Sequence, residues 1–164
     1  MDVAIRPVRR ADGGRLIAAN LAAREFQAPW VRPFGNEEAF EAWWAGVEEG
    51  RRAAFLVEAE GALAGAFNLG EIVRGGFQSA YLGYYAYPGF DGQGVMARGL
   101  ALVLAEAFGA LGLHRVEANI QPGNARSIAL ARRAGFRLEG FSPRYLFIDG
   151  AWRDHERWAK LADD

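Results

Sequence analysis

The 164-residue chain contains no cysteine. That excludes disulfides, zinc–thiolate sites and any mechanism passing through a cysteine acyl-enzyme. Long hydrophobic runs are missing too: no window approaches about 18 uninterrupted apolar residues. The N-terminus "MDVAIRPVRRADGG" has no signal-peptide apolar core. Nor is there an excess of positive charge. A net charge of -1 leaves no basic footprint for nucleic acid. The only two histidines, His114 and His155, are placed so that they make no metal site. Neither an internal repeat nor a linker-like tract interrupts the chain, so one continuous domain over residues 1–164 is expected. Hydrophobic residues make up 51% and charged residues 24%, a globular composition. The expectation is a cytoplasmic domain with a substantial core and neither a membrane nor a nucleic acid as partner.

What is present alternates between extended and helical patterns. Val3–Val8 reads as a strand, and Asp12 caps a helix running to about Arg24 despite Gly13 and Gly14 in its first turn. "FQAPWVRPFG" reads as a loop. Asn36 opens a second helix, Glu37–Glu49, with Phe40, Trp43, Trp44 and Val47 at helical spacing. Ala53–Glu58 and Leu63–Leu69 form a hairpin through "AEGA", and Tyr81–Tyr87 is an aromatic-rich strand. A helix follows over Met96–Leu111, then a strand, His114–Ile120, and a helix, Ala125–Ala134, closed by Gly135. Phe136–Ile148 and Ala151–Leu161 are joined by Asp149-Gly150, a dipeptide suited to a type I′ turn. The strand–helix–strand–helix order from 81 to 136 demands a parallel pair, while the flanking hairpins are antiparallel. The sheet is therefore mixed.

Between the aromatic strand and the helix after it lies "FDGQGVMARG", Phe90–Gly99. Two glycines one residue apart, ahead of a helix, let the backbone turn tightly and offer N–H groups to a phosphate. A nucleoside-triphosphate loop needs Lys-Ser or Lys-Thr after the last glycine, and Gly94 is followed by Val95-Met96. Gly92 to Ala97 does satisfy the dinucleotide fingerprint G-x-G-x-x-G/A. Its context does not: Glu117, the acid nearest the required distance, lies inside its strand, and too little chain remains for a dinucleotide fold.

The surroundings of the motif carry a resemblance. Asp91 to Met96 resembles the phosphate-binding turn of the GNAT family of N-acetyltransferases, Gln/Arg-x-x-Gly-x-Gly/Ala, with the essential glycine at Gly94. Asp91 and Met96 depart from that pattern. "LGLHRVEANIQPGNARSIALARRAGFRLEG" (Leu111–Gly140) resembles the family's next strand, Asn-bearing turn, helix and Gly-Phe end. "LGYYAYPGFDGQGVM" and "YLFIDGAWRDH" are similar to its RimJ/RimL ribosomal-protein acetyltransferase branch. The resemblance is close over residues 81–161 and looser before them. It implies an α/β (α+β) fold: a mixed, mostly antiparallel sheet of about seven strands, flanked by about four helices. A central parallel pair would form a V-shaped cleft. It also implies transfer of acetyl from acetyl-CoA to a primary amine by direct attack in a ternary complex, without a metal.

Residue by residue, the resemblance places the pyrophosphate on the turn formed by Asp91, Gly92, Gln93, Gly94, Val95, Met96 and Ala97. The unpaired N–H groups and dipole of a helix start favour an anion there. Tyr84, Tyr85, Ala86 and Tyr87 would pair through their main chain with the pantetheine arm, and the Tyr85 N–H would steady the oxyanion. Asn124 would contact the cofactor, although it is equally suited to cap the next helix. Ser127 is the acid for the departing thiolate, because the tyrosine that many relatives carry is Ala131 here. Glu117 is the first candidate for the base, with an ordinary strand glutamate as its bland alternative. His114 reads as structural and His155 as a sheet-face residue. Trp30, Phe34, Trp44 and Tyr145 would wall the acceptor site, although Trp43 and Trp44 also suit the core.

The acceptor suggested by the branch is a protein N-terminal amine. A small-molecule amine (antibiotic, polyamine or amino acid) and a non-catalytic acyl-CoA-binding module are the alternatives. A homodimer enters by analogy alone.

Overall fold

The computed structural model describes residues Met1–Asp164. Its strands are β1 (Val3–Pro7), β2 (Ala53–Ala59), β3 (Ala62–Val73), β4 (Ser79–Ala86), β5 (Arg115–Ile120), β6 (Arg137–Ile148) and β7 (Ala151–Leu161). Its helices are α1 (Gly13–Ala22), α2 (Arg24–Gln27), α3 (Glu37–Glu48), α4 (Val95–Phe108) and α5 (Ala125–Arg133). The strands form one sheet in the order β1-β2-β3-β4-β5-β7-β6, parallel only between β4 and β5. Asp149 (φ 49°) and Gly150 (φ 84°) make the type I′ turn between β6 and β7.

Both faces of the sheet are covered, which is why the central strands read as continuous apolar runs. On β2, Phe55, Val57 and Ala59 face α4 and α5, where they join Phe67, Leu100, Val103, Val116 and Trp158 in the larger core. Ala54 and Leu56 alternate to the other face and pack with Leu16, Phe34, Trp43 and Trp44 beneath α1 and α3. Each fully buried leucine of this kind stabilises the fold by about 2 kcal/mol. Arg132 of α5 lies 5.4 Å over the Trp158 ring, tying that helix to β7.

The N-terminal region differs from the sequence expectation in two ways. Helix α1 starts at Gly13, but Asp12 does not cap it with its side chain. Its carboxylate instead accepts two hydrogen bonds from Arg6, each 2.8 Å, and one from the Arg9 N–H at 2.7 Å. Glycine is needed at position 13 because a Cβ there would meet Phe40 Cε1 at 2.6 Å. The expected loop also begins with a further helical turn, α2, which places Gln27 inside the molecule.

The Arg6 hydrogen bonds hold the Asp12 carboxyl below the usual aspartate range, against the opposing effect of burial. The folded chain thus binds this proton less readily than the unfolded chain. The pair's contribution is complete at neutral pH and is lost as pH falls through the folded value. We expect Asp12→Asn to cost about 1 kcal/mol at pH 7. Urea titrations should show the gap to wild type closing as the pH drops below about 3.9.

Candidate active site

The parallel pairing of β4 with β5 is short, running from Ser79 opposite Arg115 to Leu82 opposite Ala118. Beyond it, Gly83–Ala86 stays bonded to β3 and Asn119–Ile120 to β7. The two strands therefore part, and a cleft of about 700 Å³ opens between them. Loop residues Trp30 and Val31, the turn before α4 and the start of α5 complete its walls.

At one end of the cleft stands the glycine turn. Gly92 and Gly94 both have φ of 72°, the left-handed region that glycine enters without a Cβ penalty. Gly94 is the residue before α4, and its own carbonyl takes the Arg98 N–H at 3.1 Å. The N–H groups of Gly94, Val95, Met96 and Ala97 find no acceptor in the chain. Four parallel orphan donors at a positive dipole end are suited to a pyrophosphate. Asp91 lies on the cleft wall and makes no ion pair, whereas Gln93 is exposed and off the wall.

Along β4, the Tyr87 N–H bonds Ala64 O at 2.8 Å on the β3 side. Gln27 Nε2 reaches Ala86 O at 3.0 Å. Main-chain groups alternate sides along a strand, so Tyr85 shares the β3-facing phase of Tyr87. The expected oxyanion donor at Tyr85 is thereby corrected: its N–H is turned to β3, while Tyr84 and Ala86 present theirs to the open side. A buried network holds this strand end. Tyr87 OH donates to Asn20 Oδ1 at 2.5 Å, and Asn20 Nδ2 donates to Phe34 O at 2.9 Å. Burial pushes the Tyr85 hydroxyl up to about 12, and Tyr87 is raised by the same cause.

On α5, Asn124 does cap the helix, accepting the Ser127 N–H at 3.3 Å, and it also lines the cleft. The Ser127 hydroxyl is paired with the Tyr84 hydroxyl in a short hydrogen bond. Burial raises the Tyr84 pKa, keeping that group protonated and able to donate. Ala131 is buried in the main core, so a tyrosine there would need other packing. The hydroxyl beside Ser127 comes instead from β4.

Four further expectations fall outside the cleft. Glu117 lies where β5 is still paired with β4, opposite Tyr81, and accepts Arg115 Nε at 2.7 Å. Arg115 also pairs with Glu139, so Glu117 belongs to an ion-pair cluster that a base would have to leave. Phe34 packs 5.2 Å from Trp43 and 5.3 Å from Phe40, as part of the smaller core. Trp44 donates to Glu48 at 2.6 Å along its own helix. Tyr145 stands behind the cleft wall, its ring 6.2 Å from that of His155. Trp30 alone of the four expected acceptor-site aromatics lines the cleft.

Among the cleft residues that escaped the sequence reading are Gln27, Asn119 and His155. Gln27 and Asn119 line the wall with buried Oε1 and Oδ1 atoms that have no hydrogen-bond partner. His155 is 1% exposed and also lines it, with Nδ1 2.8 Å from the Arg153 carbonyl oxygen. The alternation of His155 with Arg153 and Arg157 was the one available signal, and it sets a face without saying what that face meets. No group of three or more His, Asp or Glu side chains comes together as a metal site, and no helix is long and apolar enough to cross a membrane.

A splayed parallel pair, an open main-chain edge and an anion-receiving helix start define a CoA-dependent acyltransferase. The match to the acetyltransferase (GNAT) domain family covers residues 2–137. The chain belongs to that family and is an N-acetyltransferase domain. It is 31% identical over 170 aligned positions to the [ribosomal protein uS5]-alanine N-acetyltransferase of Escherichia coli, covering 98% of this chain and 88% of that protein. Mycobacterium smegmatis RimJ, solved in complex with CoA-disulfide, superposes with a TM-score of 0.86 at 33% identity, over 98% of this chain and 82% of that one. The probable N-acetyltransferase YjcK of Bacillus subtilis is 38% identical over 102 residues. That match spans 62% of this chain and 56% of YjcK, little more than half its length. The residues present fit acetyl-CoA as co-substrate, with the orphan N–H groups of Gly94–Ala97 for its pyrophosphate.

Proposed function

We propose that this chain acetylates the α-amine of a protein or peptide N-terminus. The observation that carries this reading is the charge of the cleft wall. Its only carboxylate is Asp91, at the phosphate turn, and its other charged side chains are the cations Arg126 and Arg133. A polyamine would find no counter-charge beyond Asp91, whereas a single uncharged amine needs none. The other polar residues of the wall, among them Gln27, Asn119 and Gln121, are uncharged and suited to hydrogen-bond an amine and its first peptide bond.

Proton chemistry supports the same choice. An α-amine, with a pKa of about 7.8, is roughly one-third neutral at pH 7.5, against about one part in 800 for a lysine amine. A site whose one carboxylate stands at the phosphate turn is matched to the acceptor that needs less help losing its proton. Gly94–Ala97 would hold the pyrophosphate, and the open edges of Tyr84 and Ala86 the pantetheine amides. Ser127, paired with Tyr84, would protonate the leaving sulfur. Acetyl-CoA supplies the activated acyl carbon, and the cleft supplies orientation.

The test is release of free CoA thiol, together with intact mass, across a panel of acceptors. Peptides with a free N-terminus should gain 42 Da, about one acetyl group. The same peptides with a blocked N-terminus and a free lysine, and spermidine, should stay unmodified. Turnover of spermidine but not of the peptides would reverse the assignment. CoA-induced stabilisation without any turnover would favour a binding module.

A further inference from the structure

The geometry points to His155 as the base of the reaction: its Nε2 takes the proton that the acceptor amine sheds on attacking the thioester. This rests on the acetyl-transfer reading and adds the residue that the reading lacks. His155 lies on β7, 1% exposed, and is one of the residues that line the cleft. Its Nδ1 is 2.8 Å from the Arg153 carbonyl oxygen. A carbonyl can only accept, so the hydrogen sits on Nδ1 and the lone pair of the neutral ring sits on Nε2. Nε2 makes no hydrogen bond within the chain. The ring is thus oriented by its own strand, backed by Tyr145, and left with one free acceptor nitrogen.

The surrounding charges leave no competitor for this role. Across the same side of the sheet, Glu117 is occupied by Arg115. Glu139 of β6 is held by the same Arg115. The other ionisable groups on the adjoining faces are Arg153 and Arg157 of β7, Tyr145 of β6, and Tyr81 and Tyr85 of β4; guanidinium and phenol groups are proton donors, and burial raises both β4 phenols further. Asp91, Arg126 and Arg133 belong to the remaining cleft walls, and Asp91 stands at the phosphate turn.

The step balances without a further reactant. The amine nitrogen pair forms the C–N bond to the thioester carbonyl carbon. The C–S bond breaks and its pair leaves on sulfur. The nitrogen proton passes to Nε2, making an imidazolium that discharges to solvent. Sulfur takes its own proton from Ser127 or water.

The experiment compares wild type with His155→Asn and His155→Ala, using an N-terminal peptide acceptor. Both variants should retain the CoA-induced rise in Tm and the KM for acetyl-CoA. Their kcat should fall about 100-fold or more, the range of a lost general base. The acid limb of the wild-type pH profile should disappear, and added imidazole should restore His155→Ala but not His155→Asn, whose side chain still fills the site. A kcat within threefold of wild type in either folded variant overturns the proposal. So does a fall that leaves the acid limb in place and is not rescued by imidazole, since that is a positioning role. Should His155→Ala fail to fold, the near-isosteric His155→Asn decides through kcat and the pH profile. A wild type that binds CoA yet acetylates no amine overturns the acetyl-transfer reading and this proposal with it, an outcome distinct from loss in the variants alone.

Discussion

Gly94→Val is expected to raise the KM for acetyl-CoA tenfold to a hundredfold while leaving a folded protein. No atom stands within 4 Å of a Cβ built at Gly94, so the substitution creates no clash. Its effect is conformational. With φ at 72°, a branched side chain is strained by about 1–2 kcal/mol, and the backbone relieves this by leaving the left-handed region. The turn then rotates, and the N–H groups of Gly94–Ala97 no longer converge. Losing one hydrogen bond to a charged oxygen costs about 1.5–3 kcal/mol, which is the tenfold to hundredfold stated. Gly50→Val is the matched control: Gly50 has φ of 75°, equal freedom around its Cβ, and a place in the turn after α3. Both variants should lose similar Tm, about 3–8 °C. Only Gly94→Val should lose the CoA-induced stabilisation. An unchanged KM in Gly94→Val would mean that the anion is bound elsewhere.

Phe67→Ala should give the largest loss of stability. Phe67 is fully buried on β3, its ring 5.4 Å from that of Tyr84, and a Cβ on Gly99 of α4 would lie 3.2 Å from its Cε2. Removing it opens a cavity between sheet and helix at a cost of about 3–5 kcal/mol. For a chain of this size that is a fall of about 10 °C or more. Because Tyr84 leans on Phe67 and holds Ser127, kcat should fall as well, while CoA still raises the Tm through the intact glycine turn. Trp152→Ala, at a residue 61% exposed, should change stability by less than about 0.5 kcal/mol. Calorimetry on the three proteins is sufficient. Equal losses for Phe67 and Trp152 would contradict the core described above.

Much of this protein was legible along the chain because its signals are local. The type I′ turn at Asp149-Gly150, the Asn124 cap and the left-handed Gly92 and Gly94 each depend on a few adjacent residues, and each is found in place. The mixed sheet with a parallel centre followed from the order of elements alone. The aromatic run Phe40, Trp43 and Trp44 shows where that reading stops. Its helical spacing marks a buried face, but an acceptor-site wall and a core produce the same spacing.

By itself the sequence determined the glycine turn, the strand before it, the helix after it and the family they belong to. These are properties of contiguous backbone, written in glycine placement and hydrophobic period. Only the tertiary structure decided which side chains meet across the cleft. Glu117 and His155 both stand on strands with alternating polar residues, and no spacing rule separates them. Register does: Glu117 falls beside Arg115, where the strands are still paired, and His155 falls on the wall of the cleft that opens beyond Leu82 and Ala118. The same splay leaves Tyr84 facing Ser127, and the antiparallel register of β3 with β4 turns the Tyr85 N–H toward β3. Long-range pairing sets those positions, and pairing between distant strands is a physical quantity that a local pattern does not carry.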